Sequence, residues 1–170
     1  MQYMIKKIYY FITEYLMMFI LASFMGWAYE VICTSIVWGR YAERGVLRSP
    51  ICPIYGVGML VLYPLLRKAK NPLLIFGESA LITTIIELIT SYAAEKFFNT
   101  ELWNYSEWPL NYEGRISLLS SAVFGLMAVV FFLLIKPAVD KCYSSSKGKL
   151  ITSTVVMLAV IVFAVLELAQ

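Results

Sequence analysis

Between Ile8 and Val37 the chain runs for thirty residues with only two charged side chains, Glu14 and Glu30. A helix of that length covers about 45 Å, more than the roughly 30 Å hydrocarbon core of a bilayer. Lys6 and Lys7 precede the run, as in a signal peptide, but it is too long and no A-x-A site closes it. It reads as a first transmembrane helix. The rest of the chain repeats the theme. Apolar segments follow at 51–66, stopped by Arg67, Lys68 and Lys70, at 72–98 behind Pro72, at about 116–135 ended by Lys136 and Pro137, and at about 150–168. Hydrophobic residues make up 61% of the 170 and charged ones 15%, against roughly 25% charged in soluble domains. The expected fold is all-α: a polytopic membrane helical bundle of about five transmembrane helices, forming one integral membrane domain over residues 1–170 whose surroundings are lipid.

Lys and Arg set the orientation. With the N-terminus inside, the cytoplasmic segments hold Lys6, Lys7, Arg67, Lys68, Lys70, Lys136, Lys141, Lys147 and Lys149; the outer ones hold Arg40, Arg44, Arg48, Lys96 and Arg115. The bias places the N-terminus in the cytoplasm and the C-terminus outside. The net charge of +3 then reflects loop asymmetry, and no nucleic-acid partner is expected. The chain has no histidine, which excludes Ser-His-Asp triads and His-ligated metal. Cys33, Cys52 and Cys142 are too scattered for a zinc site; Cys33 and Cys52 read as free, buried thiols. No GxxxxGK[ST] run is present, so any ATP must be bound by a separate subunit. No metal or cofactor is expected.

The second helix is the odd one. From Pro53 to Leu66 it spans about 21 Å, short of a bilayer core. Pro50 and Pro53 forbid regular helix in the stretch before it. A re-entrant lead-in would make up the difference, because irregular backbone at membrane depth is tolerated only inside protein or against a wet cavity. The helix start, with Gly56 and Gly58 in its first turns and Arg44 and Arg48 upstream, suits an anion; the arginines could equally pair with Glu30 or Glu43, or meet lipid headgroups.

Two carboxylates sit inside spans. Glu30 shares a face with Ser23, Trp27 and Thr34. Glu87 shares one with Thr83, Thr84, Thr90 and Ser91. A carboxylate stranded in lipid is costly, so both should face protein, either protonated or paired with Arg44, Arg48 or Arg115. They read as a proton, cation or amine site, or as an ion pair that fixes packing. The loop 99–115, with Trp103, Tyr105, Trp108, Asn111 and Tyr112, shows no periodicity; it suits an interfacial anchor or a lid.

The order of motifs is also familiar. Gly26-Trp27-Ala28-Tyr29-Glu30 is followed by Arg44-Gly45-Val46-Leu47 and by Pro50-Ile51-Cys52-Pro53-Ile54-Tyr55-Gly56-Val57-Gly58. Then come Glu87, Trp103-Asn104-Tyr105-Ser106, Pro109-Leu110-Asn111 and Gly114-Arg115-Ile116. Over about residues 20–137 this resembles the small bacterial membrane proteins of the ABC-transporter type IV, or CmpB-like, family. Asn104 stands where that family usually has aspartate, and Ser49 where it has glycine. The resemblance implies a multi-pass bacterial plasma-membrane protein of transporter-permease type, with an ATP-binding partner subunit that would dock on 140–149, and a transport path completed by a homo-oligomer or partner chains. The expected cavity, opening outward, draws on Trp27, Glu30, Arg44, Arg48, Tyr55, Gly56, Glu87, Trp103, Tyr105, Asn111 and Arg115. Three readings follow: a transport component for a small polar or anionic solute or lipid headgroup; a membrane enzyme acting on a lipid-linked substrate with carboxylates as acid and base; and a non-catalytic membrane partner or sensor.

Overall fold

A computed structural model describes residues 2–41, 47 and 49–168 of the chain. Among these, five helices carry almost all the structure: α1 (Gln2–Trp38), α2 (Pro53–Leu66), α3 (Pro72–Phe98), α4 (Leu118–Cys142) and α5 (Ser146–Leu168). A two-stranded hairpin, β1 (Asn111–Tyr112) and β2 (Ile116–Ser117), precedes α4. All but α2 are long and apolar enough to cross a membrane, so the fold is the expected all-α membrane bundle. Residues 1–61 with 138–170 form one compact unit, and residues 62–137 a second.

In the first unit, α1 runs for 37 residues until Gly39, at a φ of 65°, terminates it in the left-handed region where glycine is unstrained. The short lead-in to α2 then lies deep against α1. Ser49, Ile51 and Cys52 are buried, and the Cys52 N–H donates to the Ser23 carbonyl at 3.0 Å. Ser23 lies about 22 Å along the helix from Trp38. Irregular backbone thus reaches the middle of α1 before α2 begins, and the short helix has only the remaining depth to cover. Close contact holds the pair. A Cβ on Gly26 would enter the Tyr55 ring, and one on Gly56 would meet Ser23 Oγ and the Phe19 ring. Farther along, α1 and α5 are joined by a buried hydrogen bond of 2.8 Å between Thr13 Oγ1 and Ser153 Oγ, both side chains wholly enclosed.

In the second unit, α3 begins where its sequence says it should. Asn71 caps it by accepting from the Leu73 N–H at 3.0 Å, and Pro72 opens it. Asn99, at a φ of 50°, closes it. Leu81, Ile85 and Ile89 point outward, 50% or more exposed, while Ser79 and Glu87 on the other side are 0% and 2% exposed. That division is what a helix between lipid and protein requires. Against the inner face, Gly125 lets α4 approach so closely that a Cβ there would lie 2.8 Å from the Phe76 ring.

Several sequence expectations need correction. The fourth helix starts at Leu118, not Ile116, because residues 116–117 are taken by β2 and Ser117 caps the helix in a reciprocal capping box with Ser120. It also does not end at Lys136-Pro137. Phe131–Ile135 form one π turn, with the Lys136 N–H reaching the Phe131 carbonyl. This shifts the ladder just where the Pro137 ring would meet a carbonyl, and the helix continues to Cys142. The 140–149 stretch expected as a docking loop is therefore mostly helix, the end of α4 and the start of α5 around a short turn. Cys33, Cys52 and Cys142 form no disulfide; Cys52 is buried as expected, whereas Cys33 is exposed where burial was expected.

Candidate functional site

The inner side of α3 carries a polar residue every four positions, Ser79, Thr83, Glu87 and Ser91, and the series ends at the exposed Glu95. Glu87 lies at its centre, about 22 Å from Pro72. Its Oε1 accepts the Tyr105 hydroxyl at 2.8 Å, and its Oε2 lies 3.3 Å from Ser120 Oγ. Beside it Thr84 Oγ1 and Ser121 Oγ are 2.6 Å apart. Among the described residues no basic side chain pairs with Glu87. The carboxyl meets hydroxyls from two segments, the 99–115 loop and the first turn of α4.

The loop is built to hold Tyr105 there. Asn104 Oδ1 accepts the Ser106 N–H at 2.8 Å, an Asx turn. An aspartate would make the same turn, but the Asn104 Nδ2 donation to Glu101 at 2.9 Å needs the amide. The Tyr105 N–H donates to the Gly114 carbonyl at 2.7 Å, tying the loop to the hairpin. Asn111 spends its whole amide on backbone: Nδ2 donates to the Trp108 and Ser106 carbonyls at 2.8 and 3.3 Å, and Oδ1 accepts from Gly114 at 2.9 Å. Trp103 Nε1 donates to the Arg115 carbonyl at 2.8 Å. The turn at 112–115 has positive φ at Glu113 and Gly114, the pattern of a type I′ hairpin turn.

Arg115 closes the top of the stripe. Its guanidinium donates to Ser91 Oγ at 2.8 Å, pairs with Glu95, and lies 3.5 Å from Glu113. It also stacks over the Tyr92 ring at 4.1 Å, and the Tyr92 hydroxyl donates to Glu113 at 2.7 Å. The Glu95 carboxylate holds the guanidinium above its ordinary range. Pairing of Arg115 with Glu87, one expectation from sequence, is thus replaced by pairing with Glu95, about two turns farther along α3, and with Glu113 in the hairpin turn itself. From Glu95 to Arg115 the chain carries four acidic residues (Glu95, Glu101, Glu107, Glu113) and two basic ones (Lys96, Arg115), so this rim is net negative.

The structure therefore gathers Glu87, Trp103, Tyr105, Asn111 and Arg115 into one assembly in the second unit, with Trp103 and Asn111 acting as scaffold. Trp27, Glu30, Tyr55 and Gly56 belong to the first unit, where Trp27 and Glu30 are half-buried on α1 and Tyr55 rests on Gly26. Arg44 and Arg48 lie outside the described residues. Sequence reasoning missed Ser120, Ser121, Glu95 and Glu113. Their signal was present: serines at 117, 120 and 121 share one helical side of an otherwise apolar segment.

The family model described as "Putative ABC-transporter type IV" matches residues 17–168. No curated protein and no solved structure matches the chain. The match extends over almost the whole length, including α1 from residue 17 onward, the lead-in, the Glu87 assembly and α5, so the chain belongs to the ABC-transporter type IV family.

Proposed function

We propose that the chain is a membrane-embedded component of a bacterial plasma-membrane transporter, and that Glu87 under the aromatic loop is its exchange site for a cationic species. One observation carries this reading. A carboxyl 2% exposed in the middle of a membrane helix meets hydroxyls and no basic side chain among the described residues. Such a group is costly to keep unless it binds and releases something positive. The net-negative rim at Glu95, Glu101, Glu107 and Glu113 favours a cation over the anionic solute or headgroup that the sequence also allowed. A lipid-linked enzyme reading is less well supported, since acid–base work calls for a second carboxyl facing the first, and Glu95 and Glu113 are engaged by Arg115.

The proposed orientation keeps the N-terminus in the cytoplasm. The hairpin between α4 and α5 then faces an ATP-binding partner, and further copies or subunits complete the path. Gentle purification from native membrane with mass spectrometry tests the transporter reading. A stoichiometric ATP-binding subunit that couples ATP hydrolysis to solute movement, lost on Glu87→Gln, is the expected result. A homo-oligomer without an ATPase, whose host loses no transport on deletion, would overturn it.

A further inference from the structure

The hydrogen-bonded network that reaches Glu87 is short of hydrogens. Its hydrogen bonds join Tyr105 Oη to Glu87 Oε1 at 2.8 Å, Ser120 Oγ to Glu87 Oε2 at 3.3 Å and to the Ser117 carbonyl at 2.9 Å, and Ser121 Oγ to the same carbonyl at 2.9 Å. Two more, of 2.6 Å, join Thr84 Oγ1 to Ser121 Oγ and to the Ala80 carbonyl. Tyr105, Ser120, Ser121 and Thr84 each supply one hydrogen, and the carbonyls and an ionised carboxylate supply none. Four hydrogens serve six oxygen pairs. A proton on Glu87 provides a fifth and lets the carboxyl donate to Ser120, whose own hydrogen then goes to the nearer Ser117 carbonyl. Burial in a membrane helix without a counter-charge among the described residues points the same way.

We propose that Glu87 is a proton-exchange site, a neutral carboxylic acid at rest that gives up its proton when Tyr105 withdraws with the loop. The species exchanged in the transporter reading, on which this rests, is then a proton. In the exchange step the O–H bond of the carboxyl breaks and the proton passes to water admitted where the phenol stood. The bonding pair remains on the carboxylate, and Ser120 turns its hydrogen toward it. The charged and titratable groups on the surrounding elements are Glu78, Tyr92, Glu95 and Lys96 of α3, Glu101, Tyr105 and Glu107 of the loop, and Tyr112, Glu113 and Arg115 of the hairpin; the first three turns of α4 carry none. A second observation marks a continuation along α3. Thr83 Oγ1 donates to the Ser79 carbonyl at 2.6 Å, and Ser79 Oγ, about 12 Å from Glu87, is fully buried without a hydrogen-bond partner.

Infrared spectroscopy of the full-length protein in lipid nanodiscs tests this without any solute. The difference between wild type and Glu87→Gln at neutral pH should contain the C=O stretch of a protonated carboxylic acid, and the band should shift on transfer to D2O. Glu87→Asp, which keeps the acid, should retain it and guards against a folding defect in the amide variant. In Tyr105→Phe the band should exchange about tenfold faster, the effect of losing one buried hydrogen bond. Absence of the band would overturn the proposal while leaving the transporter reading to its own test. So would a band unaffected by Tyr105→Phe, or a sodium-dependent rise in thermal stability, lost in Glu87→Gln, with no acid band.

Discussion

The Tyr105 hydroxyl donates to Glu87 Oε1 at 2.8 Å, fastening an irregular loop to the middle of a membrane helix. Neither residue reaches the other by local geometry; the Asx turn at Asn104 and the Tyr105–Gly114 backbone bond deliver the phenol to that point. Tyr105→Phe removes only the oxygen and leaves a buried acceptor short of a donor. The expected cost is about 1 kcal/mol, the scale of one buried hydrogen bond inside a membrane protein. It should appear as a lower unfolding temperature in detergent and as faster amide exchange confined to residues 103–116. Exchange spread evenly over α3 and α4 would contradict this placement of the latch.

The close approach of α2 to α1 gives a sharper steric prediction. A methyl on Gly26 or Gly56 collides with Tyr55, or with Ser23 and Phe19, whereas Gly77 has open space around its Cα. Gly26→Ala and Gly56→Ala should each destabilise by about 1–3 kcal/mol through overpacking. Gly77→Ala should be neutral or slightly stabilising, because alanine loses less backbone freedom in a helix. Thermal unfolding of the three purified variants checks the ordering, and equal effects at all three sites would refute it.

Much of this is legible in the sequence. The bounds of α2 and α3 follow from Pro53, the basic stop at Arg67 and Lys68, and Pro72, because proline and charge act locally. The interior placement of Glu87 follows from cost alone. What was not legible depended on non-local partners. Pro137 ends most helices, and only the π turn at Phe131–Ile135 carries α4 past it. Arg115 was equally able to serve Glu87, Glu95 or Glu113 by charge; hairpin geometry decided for the latter two. The 99–115 loop has no period, since side-chain amides and turns organise it in place of a repeating face.

Tyr143, between α4 and α5, offers a pH test. Burial raises its phenol pKa above the ordinary value, so the folded state retains the proton where the unfolded chain has released it. Stability from this group is fully present below about pH 10, the ordinary phenol pKa, and falls as pH rises through and beyond that point. Wild-type protein should lose unfolding temperature in this alkaline window more steeply than Tyr143→Phe, and the two should run parallel at neutral pH. Parallel curves throughout would show that the phenol does not titrate with unfolding.

Arg115 makes the last prediction, because its contacts require a planar fork and not merely a charge. One guanidinium donates to Ser91, pairs with Glu95 and Glu113, and stacks on Tyr92. Lysine keeps the charge but can neither stack as a plane nor serve three acceptors in those directions. Arg115→Lys should therefore loosen the hairpin nearly as much as Arg115→Gln. Both variants should show faster proteolysis within 99–117 and quicker amide exchange at Gly114 and Ile116. Since Glu95 and Glu113 are exposed, the lysine variant's residual protection should fade with added salt, as screened surface pairs do. Limited proteolysis of wild type and both variants at low and high ionic strength decides the matter. A lysine variant as resistant as wild type at both would mean that charge alone holds the loop.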